Sequence, residues 1–135
     1  ANGKNPKDIA KAIHQETAVG AKRSMVIART EITTALRRAR WDEHEAAKSV
    51  LGLRTMLMHF SALLPTTRAT HAARHGKLFT TEEVEEWYSV DANSINCRCV
   101  QTTVVVDEKG NPLNDRVVKR AEELRKRFIE EHEDE

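Results

Sequence analysis

Helical spacing dominates the chain, broken by two short runs that read as strands. Asn5-Pro6 offers a helix cap followed by proline at the first helical position, and Ile9 and Ile13 then share a face, which predicts a short amphipathic helix to about Gln15. A break is expected over Thr17 to Gly20. Beyond it Met25, Ala28, Ile32, Ala35, Leu36 and Ala39 recur at helical spacing, so a long helix is predicted over 20–48, with Leu51-Gly52 as its end. Leu53 to Leu64 is apolar or β-compatible and is stopped by Pro65, which predicts a strand. Residues 65–77 read as a polar connection, Thr80 or Thr81 as the cap of a short helix from Glu82 to Trp87, and Ser89 to Ser94 as loop. A second strand is predicted over Cys97 to Val106, paired with the first. After turn residues 107–112, Asn114 or Asp115 caps a last helix with Val117, Ala121, Leu124 and Phe128 at steps of 4, 3 and 4.

The expected fold class is therefore α+β: long N-terminal helices, a small antiparallel β element around the His/Cys region, and a C-terminal helix. Three parts follow along the chain, a helical arm (1–50), a small α+β knob (51–110), and a C-terminal helix with an acidic tail (111–135). The apolar seam of that last helix wants a partner, either the chain's own core or a second copy in a homo-oligomer. Glu130 to Glu135 is too polar to extend the seam.

Composition and charge refine this picture. With 39% apolar and only 4% aromatic residues in 135, one thin core is expected. No stretch approaches the roughly 20 apolar residues of a membrane span, and the N-terminus lacks the apolar run of a signal peptide, so no membrane partner is expected. Ala1 in place of Met fits a segment of a longer protein and fits removal of an initiating Met equally well. The net charge of +1 hides a division: residues 1–80 hold 14 Lys+Arg against 6 Asp+Glu, and the remainder 8 against 15. Such polarity favours directional contact with an anionic partner or between copies. On the long helix Lys22, Arg29, Arg37 and Arg40 fall within one stripe at about 100° per residue, a candidate grip for DNA phosphate or an acidic protein rim.

Both cysteines sit in Asn96-Cys97-Arg98-Cys99. An internal disulfide across one intervening residue would be strained, which leaves free thiols or metal ligands. Zinc takes four Cys or His ligands in structural sites, and His71 and His75 precede the cysteines as partners, although two ligands flanking one residue of a regular strand need a bend to converge. A Cys nucleophile paired with His71 lacks an orienting third group. Glu82, Glu83, Glu85 and Glu86 are explained by the positive end of their helix. Trp41, Trp87 and Tyr88 are expected as anchors of a small core. The five glycines never take the spacing of a phosphate or dinucleotide loop.

Three segments together resemble the phage Mu F-type head morphogenesis family, in its C-terminal portion. Ile27-Ala28-Arg29-Thr30-Glu31 resembles the family's IARTE helix, Thr67-Arg68-Ala69-Thr70-His71 with Gly76-Lys77 its TRxxHxxxxGK segment, and Asn96-Cys97-Arg98-Cys99 its NCRC terminus. The chain departs from the common pattern at Leu64-Pro65 and at His75, where relatives often carry Asp. Some relatives carry Cys-x-x-Cys where Arg68 and His71 stand, and His where Ser94 stands. The resemblance thus implies a metal or thiol cluster in which His71, Cys97 and Cys99 remain, with His75 or solvent as a fourth member and zinc as the metal. It also implies a minor capsid component of the virion, made in the bacterial host cytoplasm, binding portal, major capsid protein or packaged DNA during head assembly or genome delivery. No catalytic constellation emerges. The alternative is a metal-dependent hydrolase or nuclease, or a toxin-associated module, built on His71, Cys97 and Cys99.

Overall fold

The computed structural model describes residues 5–16 and 20–133. The expected break at Thr17 to Gly20 lies largely outside the described residues, as does the end of the acidic tail. Among the described residues the element order is α1 (Pro6–Glu16), α2 (Ala21–Leu51), β1 (Thr55–Phe60), α3 (Ala69–Ala72), β2 (Leu78–Phe79), α4 (Thr81–Tyr88), β3 (Val100–Val105) and α5 (Arg116–Glu133). The α+β expectation is correct. The strands form one antiparallel sheet in the order β2-β1-β3, with His59 opposite Gln101 and Leu57 opposite Thr103 on one side of β1, and Leu57 opposite Phe79 on the other.

Local chemistry fixes most element ends. Asn5 Oδ1 accepts from the Asp8 backbone N–H at 3.0 Å, as its cap position requires. Gly52 closes α2 in a left-handed conformation (φ 64°) and donates its N–H to the Lys48 carbonyl, satisfying an otherwise orphaned acceptor. Thr80 and Glu83 form a reciprocal capping box at the start of α4. At the start of α5 the Asn114 side chain accepts from the Arg116 N–H at 3.2 Å. Two elements were not expected: α3 lies in the segment that reads as polar connection, and β2 directly follows it. His71 and Ala72 of α3 are nonetheless buried, and β2 is only two residues long, too short to leave an alternating pattern.

Three layers result, with the sheet between helices. One core cluster gathers Trp41, Leu57, Val84, Tyr88, Cys97 and Cys99, with Phe79 and Trp87 packed against it. The other joins Met58 to Val118 and Ala121 of α5, with Leu78 and Val104 at its edge. Trp41 of the expected arm and Leu57 of the expected knob thus share one core. The seam of α5 is rotated from expectation, because Val118 and Ala121 are buried while Val117 is 55% exposed. Gly76 lets α5 approach: its φ is +80°, and a Cβ placed there would lie 2.8 Å from Ala121 Cβ.

Helix α2 changes its buried face along its length. Ser24 and Ala28 are buried in the half that packs with α1, whereas Arg37, Trp41 and His44 are buried farther along, on the opposite side. Ala35 and Ala39, expected in the apolar stripe, are exposed, and Leu36 is 54% exposed. The second face is polar in sequence and is buried because each of its groups finds a partner. Arg37 Nε and Nη2 donate to the carbonyls of Cys99 (3.2 Å) and Cys97 (2.9 Å), and Trp41 Nε1 donates to Gln101 Oε1 at 3.1 Å. His44 bridges Thr103 and Thr55 at 3.0 and 3.2 Å. Buried polar groups satisfied in this way cost little, so apolar periodicity is blind to them.

Candidate metal centre

Two backbone features bring the three donors together. Asn96 takes a left-handed conformation (φ 50°), which asparagine tolerates better than most residues, and the strand begins only at Val100. Cys97 and Cys99 therefore precede β3 and do not lie on a regular strand, which supplies the bend that their convergence needs. Asn96 N–H donates to Thr30 Oγ1 at 2.8 Å, and the Arg37 guanidinium grips the carbonyls of both cysteines while lying 4.4 Å from the Tyr88 ring centroid. Arg68 reaches the preceding loop and donates to the carbonyls of Ala92 (3.1 Å) and Ile95 (2.6 Å). The segments around Thr30, Arg68 and Asn96, far apart in sequence, thus close around one loop.

His71 is presented from α3, one turn after Arg68. Its Nδ1 lies 3.5 Å from Cys97 Sγ and 3.6 Å from Cys99 Sγ, and the donor atoms of all three residues lie within 4.8 Å of one another. All three side chains are buried. A tetrahedral zinc with Zn–S of about 2.3 Å and Zn–N of about 2.0–2.1 Å has S···N edges of roughly 3.5–3.6 Å, the separations seen at His71. The donor set and its spacing fit a thiophilic divalent metal.

The electrostatics of the pair are asymmetric. The Cys97 thiol is drawn down to about 3 by hydrogen bonds from the Cys99 thiol and His71, and from the Cys99 N–H at 3.3 Å, with Arg37 adding positive charge and burial opposing. The Cys99 thiol is pushed far up, because it shares its proton with Cys97 and is buried beside that developing negative charge. Gln101 Nε2 donates to Tyr88 Oη at 3.0 Å, and Tyr88 Oη lies 3.6 Å from Cys97 Sγ, so the hydroxyl hydrogen is free to point at the sulfur.

His75 does not join the centre. It is buried, but its Nδ1 accepts from the Ser61 N–H at 2.9 Å and its carbonyl accepts from Arg125 Nη1 at 2.7 Å, so it ties β1 and α5 to the turn after α3. His59, which sequence reasoning passed over, is also fully buried; its ring packs edge-on to Trp87, and its pKa falls to about 3 through burial and the nearby Arg74 charge. Arg74 stacks over Phe79 and Trp87 at 3.8 and 4.2 Å. Of this aromatic and imidazole cluster the sequence marked only Trp87, as a core anchor.

Among the stripe residues Lys22 and Arg40 are exposed and Arg29 is half-buried, while Arg37 is committed to the cysteine carbonyls and leaves the stripe. Glu31 and Arg98 are exposed, and Gly76 lies under α5. Among the described residues no helix is long and apolar enough to cross a membrane.

No curated protein and no solved structure gives a match. Residues 1–102 match the family described as Phage Mu protein F like protein. That span contains all three motif segments, whose residues meet around the loop before β3, and the chain belongs to the phage Mu protein F-like family, which points to a phage head morphogenesis protein.

Proposed function

We propose that this chain is a structural adaptor of the phage head, in which a zinc-bound knob fixes the shape and the basic helical arm makes the contacts. The observation that carries the reading is where the motif groups point. Thr30 and Arg68 direct their side chains at the backbone of residues 92–96, and His71 turns inward to the two thiols. Groups used to clamp a loop are architecture. Hydrogen bonds from the Cys99 thiol, His71 and the Cys99 N–H favour the thiolate form of Cys97, the form that binds a divalent cation.

Docking is assigned to the outer face of α2, where Lys22 and Arg40 are both exposed on one side of the helix. Packaged DNA presents phosphate, and an acidic patch on portal or major capsid protein would suit the same face. The hydrolase alternative has less support: the cavity beside the cysteines is lined by Ser61, Thr67, Arg68, Asn96 and Arg98 among others, with no carboxylate to serve as general base.

Metal analysis of the purified chain tests the knob, and co-sedimentation with heads or portal tests the docking. One zinc per chain is expected, with His71→Ala and Cys99→Ser each losing the metal and lowering Tm by several degrees, and with Lys22→Glu/Arg40→Glu weakening co-sedimentation while Tm holds. Turnover of a phosphodiester or peptide substrate that vanishes in Cys99→Ser would instead establish the enzyme.

A further inference from the structure

Resting on the metal reading above, we infer that the His71–Cys97–Cys99 centre holds its fourth coordination position open to a carboxylate from outside the chain. Three observations support it. First, among the described residues no further His, Cys, Asp or Glu joins the group as a fourth strong donor. Of the two other buried imidazoles in this region, His75 Nδ1 accepts from the Ser61 N–H and His59 Nδ1 lies 3.5 Å from the Gln101 amide, and neither ring brings a nitrogen into the group of donors. Ser61 Oγ, which accepts from the Leu63 N–H, is a neutral hydroxyl and a poor zinc ligand.

Second, a cavity reaches the three residues that carry the donors. His71, Cys97 and Cys99 all line a cavity of about 420 Å³. A water molecule's share of liquid volume is about 30 Å³, so the space admits the end of an acidic side chain or a small organic acid. Closed structural zinc sites have four protein ligands, and an open position is the mark of a site meant to exchange one.

Third, the lining favours an anion. Two thiolates and a neutral imidazole already cancel a divalent ion, so any preference for an anion comes from the cations around the cavity. The cavity is lined by Arg68 and Arg98 with no carboxylate, and the Arg37 guanidinium lies behind the cysteine carbonyls. Arg68 is engaged with loop carbonyls, which leaves the exposed Arg98 as the rim cation to pair with an incoming carboxylate.

The test uses the full chain loaded with cobalt(II) in place of zinc, read by its thiolate charge-transfer and visible d–d bands. Acetate is expected to shift the d–d bands saturably. Arg98→Ala is expected to weaken that binding several-fold with cobalt uptake unchanged. Should a second copy's acidic side chain be the natural ligand, the starting spectrum will depend on protein concentration and acetate will compete most easily on dilution; a spectrum independent of concentration assigns the position to a free carboxylate. Bands that respond neither to acetate nor to dilution mean a closed site and overturn the inference while the metal reading stands. Imidazole binding as tightly as acetate, in wild type and Arg98→Ala alike, overturns the choice of an anion. Absence of any thiolate charge-transfer band defeats the metal reading itself, a separate result.

Discussion

Arg37 shows how one side chain can be classified correctly by charge and misplaced by role. Its position on a basic helix suggested a phosphate contact, yet it is only 3% exposed and donates to the carbonyls of Cys97 and Cys99. Arg37→Met removes both bonds, leaves two buried acceptors unpaired and frees the cysteine loop. Urea unfolding of the variant is expected to show a loss of about 2–4 kcal/mol. A change within about 0.5 kcal/mol would mean that the loop holds itself. The buried imidazoles give a pH signature at the same scale. His59 falls to about 3, and His44 and His75 are also lowered, in each case chiefly by burial. The folded state therefore binds fewer protons than the unfolded state below the ordinary histidine range near 6.5. Stability is fully present above that pH and is lost as pH falls from about 6.5 toward 3, at about 1.4 kcal/mol per unit for each histidine fully protonated only when unfolded. Denaturant titrations from pH 7 to 4 should find this slope, smaller by about one proton in His59→Gln. The cysteines and His71 were legible as candidate ligands because their residue types are scarce and reactive. The partners of Arg37 and His59 were not, because a buried polar residue is recognised by what it bonds, and those bonds span tens of residues.

At the scale of elements, caps and breakers were the legible part. Asn5, Gly52, the Thr80/Glu83 pair and Asn114 each act within a few residues, so their hydrogen bonds are encoded locally. Strand β1 was also expected, although it is shorter than the run from Leu53 to Leu64, since the chain turns away after Phe60 where Ser61 N–H is taken by His75. Helix α3 escaped notice: four residues are too few for periodicity, and its burial comes from the site it builds. Docking of α5 depends on Gly76 in the segment after α3. Gly76→Ala places a methyl group against Ala121 and holds a non-glycine residue at positive φ, and a cost of about 2–4 kcal/mol is expected in thermal or denaturant unfolding. Ala121→Gly in the same chain should recover part of that loss if the overlap with α5 is its source, and none if backbone strain accounts for all of it.

Over the whole molecule, the matched family span ends at residue 102, yet the sheet face carrying Met58 is covered by Val118 and Ala121 of α5. The α+β class could be read from the order of helical and extended patterns; the layering could not, since it depends on which face of each helix finds bonding partners. The two-sided burial of α2 has a further consequence. A helix of 31 residues is about 46 Å long, and its two buried patches answer to different neighbours on opposite sides. It works as a strut clamped at one end by the sheet and at the other by a single short helix. Loosening the outer clamp should leave the inner one undisturbed: substitutions at Ala28 and Trp41 should add in their effects on stability, and amide protons of residues 21–30 should exchange with solvent well before those of residues 37–45. Strong coupling between the two sites would show that the strut melts as one piece, and the outer half would then be a poor lever for reaching a neighbouring subunit.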